Sequence, residues 1–320
     1  MSKGAVSPRR SSRLLWLLVA AVLLGLFLGS GEIRRLLADA LSQVTPLAVL
    51  ATLPGQIAAT LLCAAALHAL RPGVSYLASL AARLLRDAGD NLLFFLPGLG
   101  EVIGARALVL AGGQTRAAVS ASALDKFAET AAQVPYIVLA GWVLWRGWEV
   151  PISLPGVSTA ATISGVAAGL ALLWAGWQRF GARSRLSIRL REEWHKLAAE
   201  AHQQKSGLPR SILLHFLAWV LGGLQIWMAA QALGFELTLF EAVALESAAY
   251  AGRAIFFFIP AGLVTQEAGL VAAGLVFGLT PAQSLTFALV LRLRDVVTGA
   301  ALLLWPLMEW RSRINSLSDG

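Results

Sequence analysis

The sequence predicts an all-α integral membrane protein: a polytopic helical bundle of about six full spans plus two re-entrant, broken helical hairpins. Three observations predict it. Hydrophobic residues make up 57% of the chain and charged residues 14%, with a mean hydropathy of +0.69; soluble domains average roughly 45–50% apolar and about 25% charged. The apolar residues arrive in runs close to the roughly 20 that a helix needs to cross a bilayer core. Such runs must be helical, because backbone N–H and C=O groups in lipid have to pair within the protein. The short alternating segments of a β-barrel are missing.

The elements follow in order. Residues 1–13 are polar and basic (Lys3, Arg9, Arg10, Arg13), and 14–30 form a first span. That start resembles a signal peptide, but no A-x-A-like cleavage pattern follows, so an uncleaved span is expected. The first membrane half covers 45–178. Its span from Pro46 to Leu70 is closed by Arg71-Pro-Gly, since Pro and Gly do not continue a helix cheaply. A hairpin over 75–112 begins amphipathic, with Leu77, Leu80, Ala81, Leu84 and Leu85 on one face and Arg83, Arg86 and Asp87 on another. It breaks at Pro97-Gly98 and continues through Gly100 and Glu101 as a short arm to Leu110. Irregular backbone at membrane depth is tolerated only against protein or a wet cavity. A long helix over 117–145 starts polar (Asp125, Lys126, Glu129), and a span over 159–178 follows the turn at 150–158.

Residues 179–210 form a basic loop, with Arg179, Arg183, Arg185, Arg189, Arg191, Lys196, Lys205 and Arg210 opposed only by Glu192, Glu193 and Glu200. The positive-inside rule places it in the cytoplasm. The second half, 211–306, opens with a span to 233. A second hairpin over 241–279 carries Glu241, Glu246 and Arg253, breaks at Pro260-Ala-Gly262, and has a short arm starting near Glu267. The last span, 282–306, contains Arg292, Arg294 and Asp295, and 307–320 is a polar cytoplasmic tail. The net charge of +8 fits Lys and Arg held near anionic lipid on the cytoplasmic side, and no nucleic-acid partner is expected. Several of the eleven Trp sit at span ends (Trp16, Trp142, Trp145, Trp148, Trp305, Trp310), as interfacial anchors do.

The two halves look alike. Phe94-Phe-Leu-Pro-Gly, Glu101, a short arm, Gly113-Gln-Thr and a helix with Lys126 and Glu129 match Phe257-Phe-Ile-Pro-Ala-Gly, Glu267, a short arm, Gly278-Leu-Thr and a helix with Arg292, Arg294 and Asp295. With the N-terminus inside, six spans and two non-crossing hairpins put the first hairpin at the cytoplasmic face, the second at the outer face, and the C-terminus inside. That is an inverted-topology repeat, which in many transporters places the substrate near the midplane between broken helices.

Ionisable groups at membrane depth are costly and mark substrate paths or internal pairs. The candidate substrate-binding residues are Glu101, Arg106, Arg253, Glu267, Arg292, Arg294 and Asp295, with Asp125, Lys126 and Glu129 secondary. The hairpin breaks are Pro97, Gly98, Gly100, Pro260 and Gly262. Glu101 and Glu267 also fit a capping role at short-arm N-termini, and the arginines offer forked donors to a phosphate. Cys63 has no partner for a disulfide or metal, and no two of the four His make a metal pair with a carboxylate. No nucleophile elbow, Walker loop or Rossmann pattern is present. No catalytic residue, metal or cofactor is therefore expected, and the chain is not expected to be an enzyme.

The segment Leu96-Pro-Gly-Leu-Gly-Glu101, the arm to Gly113, and Ile259-Pro-Ala-Gly with Glu267 and Arg292 resemble the flippase-type transmembrane domain of bacterial lysylphosphatidylglycerol synthases. The likeness covers about 45 to 306. Gly-Glu-x-x-Gly-Ala-Arg106 followed by Leu-x-Leu-Ala-Gly is similar to the branch of hopanoid-biosynthesis-associated membrane proteins. The resemblance implies movement of a polar-headed lipid, hopanoid or related, between leaflets of the bacterial inner membrane. The implied partners are membrane lipids with anionic or polar headgroups, and lipid-biosynthesis proteins. Two departures stand out: the arginine expected three residues after the glutamate is Arg106, five on, and Asp125-Lys126 replaces a Glu-Arg pair. The synthases' soluble aminoacyl-transfer domain has no counterpart here, so lipid aminoacylation is not expected. Competing expectations are a small-solute secondary transporter on the same plan and a non-transporting member of a lipid-synthesis complex.

Overall fold

The structure is a computed structural model that describes residues 30–71, 73–93, 98–147, 199, 201–255 and 263–318. The described helices, in chain order, are α1 (Gly31–Gln43), α2 (Pro46–Ala69), α3 (Tyr76–Leu92), α4 (Leu99–Leu110), α5 (Thr115–Gly147), α6 (Leu208–Leu233), α7 (Leu239–Ile255), α8 (Leu263–Val276), α9 (Pro281–Gly299) and α10 (Leu304–Ser318). The first span at 14–30 (except Ser30), the turn at 150–158, the span at 159–178, most of the 179–210 loop, and Pro97, Pro260 and Gly262 lie outside the described residues.

Local chemistry fixes the helix starts. Ser30, Thr45, Ser75 and Thr280 each accept a hydrogen bond from a backbone N–H three residues on, and Thr280 forms a reciprocal capping box with Gln283. Such caps satisfy donors that the first turn leaves orphaned. At the other end of α6, Gly234 takes φ +73° and Phe235 N–H closes 2.9 Å onto the Ala230 carbonyl, a glycine-terminated stop.

Among the described residues, two helices are long and apolar enough to cross a bilayer: Pro46–Ala69 and Ala201–Leu233, the latter running into α6 through a short 3-10 turn, Lys205–Gly207. They pack directly on one another, where Gly55 of α2 accepts the Gln225 side chain of α6. Their outward faces are apolar. Leu47, Leu50, Ile57 and Leu61 of α2 are 42–63% exposed, as are Leu213 and Leu217 of α6 at 58% and 43%. A helical stripe of this kind suits hydrocarbon rather than water.

The same inversion explains α3. Its sequence is amphipathic, but the polar face turns inward: Arg83 and Arg86 are buried to 5% and 4%, while Leu77 is 73% exposed. α4 folds back on α3 through Gly89, Gly100 and Gly104, and an added methyl at Gly100 would run into Asp90 and the Arg86 carbonyl. α8 folds back on α7 in the same way, with Gly252 against the Thr265 carbonyl and Gly269 against the Ala248 carbonyl. Small residues at such crossings let backbones approach closely. Gly98 caps α4 in the left-handed region, φ +81°, at the site where the break was expected.

The end of the chain differs from expectation. The last span, expected over 282–306, is α9 followed by a 3-10 turn at Ala300–Leu303, and the expected polar tail is the helix α10. Leu302, Trp305 and Met308 from this region pack on the core around Leu67, Leu85 and Leu108, so apolar docking explains its order. α1, for which no expectation was made, lies along α9, where Thr286 Oγ1 donates to the Ala40 carbonyl at 3.2 Å.

The short-arm acids of the two halves make matching ion pairs. Glu101 of α4 pairs with Lys126 of α5 at 3.2 Å, and Glu267 of α8 pairs with Arg292 of α9 at 3.1 Å. Glu129 and Asp295 each follow three residues after those cations, and left-handed glycines, Gly112 at φ +96° and Gly278 at φ +76°, precede both long helices. One offset relates all four pairs: 267 − 101, 292 − 126, 295 − 129 and 278 − 112 each give 166.

Candidate functional site

A cavity of about 460 Å³ opens between the two hairpins and the α2–α6 pair. Charged side chains from both halves line it, including Arg83, Asp87, Lys126 and Glu129 on one side and Arg292, Arg294 and Asp295 on the other.

The first half supplies a dense ion-pair network. Arg83 binds Asp87 at 2.9 Å, Asp125 at 3.3 Å and Glu129 at 3.1 Å. Arg86 reaches Asp125 and Glu129 at 2.5 Å each, and Glu101 at 3.6 Å. Lys126 closes the set onto Glu129 at 3.4 Å. The two arginines are one turn apart on α3, and Asp125 and Glu129 one turn apart on α5. The facing helices therefore set a three-residue spacing of arginines against a four-residue spacing of acids, each about one turn, and forked guanidinium donors suit carboxylates held this way. His215 of α6 joins at Asp125 Oδ1, 2.8 Å from Nε2, and Cys63 Sγ lies 3.6 Å from its Nδ1.

The second half is sparser. Arg294 bonds Asp295 Oδ1 at 2.7 Å and also donates to Gln225 of α6. Arg292 holds Glu267 and is 3.4 Å from Gln266 Oε1. Between the clusters stands an aromatic partition: Trp219 stacks on Tyr136 at 5.9 Å and meets Tyr250 edge-on at 4.5 Å. Tyr136 is fully buried and its hydroxyl lies 2.8 Å from Glu246 Oε2.

Lys126, Glu129, Arg292, Arg294 and Asp295 line the cavity itself. Asp125, Glu101 and Glu267 stand directly behind that lining through their ion pairs. Arg106 is placed elsewhere: its side chain is 47% exposed and makes a forked pair with Glu309 of α10 at 3.0 Å. Arg253 lies on α7, and its side chain is outside the described residues, as are Pro97, Pro260 and Gly262. Gly98 caps α4, and Gly100 is the contact point of the first hairpin.

Several residues in the lining or paired directly behind it were not among the candidate site residues. Arg83, Arg86, Asp87 and Asp90 carried a readable signal, four ionisable groups at helical spacing in a segment flanked by spans. Asp125 to His215, 90 positions apart, and Tyr136 to Glu246, 110 apart, gave none. Among the described residues no group of three or more His, Cys, Asp or Glu is placed to hold a metal ion.

Neither a curated protein nor a solved structure matches the chain. A family model does, over residues 13–302, nearly all of the sequence and every element that lines the cavity; its description is lysylphosphatidylglycerol synthase TM region. The chain is thus a membrane protein, and it belongs to the lysylphosphatidylglycerol synthase TM-region family.

Proposed function

We propose that this protein moves a polar-headed lipid between the leaflets of a bacterial inner membrane. The observation that carries the reading is the charged cavity between two broken-helix hairpins, in a chain whose outward faces are apolar. Charge in the membrane interior is expensive, and a cavity of this size accommodates a headgroup while acyl tails stay in the bilayer. Arg83, Arg292 and Arg294 offer forked donors to phosphate or hydroxyl oxygens, and Asp87, Glu129 and Asp295 accept from headgroup donors. The similarity to the hopanoid-associated branch makes a hopanoid-type lipid the first natural substrate to try.

The two halves, in this reading, run in opposite senses across the membrane, with both termini in the cytoplasm and each hairpin gating the cavity from its own face. Cysteines introduced one at a time at Gly98 and Gly262, with Cys63 replaced by serine, are expected to react with impermeant reagents from opposite sides. Labelling of both from one side would rule out the inverted arrangement.

Leaflet exchange in proteoliposomes tests the function. Wild type is expected to accelerate exchange in a headgroup-dependent way. Arg292→Ala removes hydrogen bonds to a charged group, together worth about 1.5–3 kcal/mol, and is expected to slow exchange on the order of 10–100-fold. Arg106→Ala, off the cavity, is expected to stay within about twofold, since exposed ion pairs contribute little. Folded wild type that exchanges no lipid would favour a solute transporter or a non-transporting partner of lipid synthesis.

A further inference from the structure

Glu246 differs from the arginine-held acids at the cavity. It is buried to 5%, it lines the cavity, and among the described residues it forms no ion pair. Asp87, Asp125, Glu129 and Asp295 are all held by arginine. The Glu246 carboxyl rests against Gly222 of α6, where an added methyl would collide with it, and its hydrogen-bond partner is the Tyr136 hydroxyl.

That hydroxyl has two oxygens within reach: Glu246 Oε2 at 2.8 Å and the Val243 carbonyl at 3.3 Å. A hydroxyl has one proton to donate but two lone pairs. If Glu246 is ionised, Tyr136 donates to it and the Val243 carbonyl keeps only the bond it accepts within α7. If Glu246 is neutral, its O–H donates to Tyr136 and Tyr136 donates to Val243, so both bonds form. An ionised carboxylate without a cation is also costly in a low-dielectric interior.

The groups around it fit this assignment. From α5 comes Tyr136; from α6, Gly222 and Gln225, with His215 already turned to Asp125. From α8 comes Glu267, held by Arg292; from α9, Arg294, committed to Asp295 and Gln225; α7 itself adds Tyr250 and, at its start, Glu241 bonded to Thr238.

We infer that Glu246 is the proton-carrying group of the translocation cycle: it holds a proton in the empty cavity and releases it when a headgroup engages Asp295. A headgroup hydroxyl bound to Asp295 frees the Arg294 guanidinium to pair with Glu246. The Glu246 O–H bond then breaks, its proton passes to cavity water, and the carboxylate is matched by Arg294. Lipid and proton consequently move in opposite directions. This coupling rests on the translocation reading above.

Two measurements test it. In infrared spectra of the full-length protein at neutral pH, a protonated carboxylic-acid carbonyl band is expected in wild type and missing in Glu246→Gln. Identical spectra would overturn the assignment whatever the protein transports. In vesicles with fluorescent phosphatidylglycerol as probe, an acidic lumen is expected to enrich the probe in the inner leaflet. The enrichment is up to about tenfold per pH unit for one proton per lipid, and Glu246→Gln is expected to lose the response. Wild type that exchanges the probe but ignores the gradient, or a Gln variant that still follows it, would overturn the coupling. Wild type that exchanges neither this probe nor a hopanoid-type lipid would overturn the translocation reading and the coupling with it, and the infrared difference would then report the neutral carboxyl alone.

Discussion

Replacing Arg86 by alanine is expected to destabilise the protein by about 3–5 kcal/mol, the usual cost of stripping one partner from a buried ion pair. Arg86 is 4% exposed, and its guanidinium is the shared counter-charge of Asp125 and Glu129. Removing it leaves Arg83 as the one arginine on both carboxylates, with His215 at Asp125 and Lys126 at Glu129 as the remaining partners. The loss is expected as a lower thermal midpoint in detergent, with part of it recovered in the Arg86→Ala/Asp125→Ala double variant, since the coupling of groups in one network is not additive. Equal destabilisation by Arg106→Ala would contradict the assignment of Arg86 as the interior anchor.

The second large effect is steric. Gly100→Val places a branched side chain where Asp90 and the Arg86 carbonyl already sit, so α4 must lift off α3 and carry Glu101 away from Lys126. Overpacking of this kind costs about 1–3 kcal/mol or more, and the first hairpin is expected to open to protease before the rest of the chain. Gly141→Ala is the contrasting variant. Nothing lies within 4 Å of the added methyl, and replacing a mid-helix glycine is expected to stabilise by about 0.5–1 kcal/mol. Matching losses at Gly100 and Gly141 would show that the hairpin contact is not what the first substitution disturbs.

Much of the scaffold was legible because hydropathy and helix punctuation are local. The span expected at Pro46–Leu70 ends one residue earlier, and that expected at 211–233 begins three residues sooner, at Leu208. The short arms and their glycine turns were equally readable. The interior was less so. The polar face of α3 reads as an ordinary amphipathic surface until one knows that its surroundings are hydrocarbon and its neighbours hold Asp125 and Glu129. Arg106 shows the opposite failure: its motif position suggested the cavity, but the side chain's direction around α4 takes it to Glu309 on α10, in the segment expected as a polar tail. Glu246 stood plainly in the second hairpin, yet its pairing with an uncharged tyrosine rather than an arginine depends on a contact 110 positions away.

The matched pairs Glu101–Lys126 and Glu267–Arg292 bear on energetics as well as ancestry. If the halves face opposite sides, as proposed, one link is the other's counterpart. Opening the protein to the cytoplasm would then break and remake much the same interactions as opening it outward. Those two links by themselves would favour neither end state, and so neither leaflet. Net flow would follow the lipid and proton gradients that the surrounding metabolism maintains.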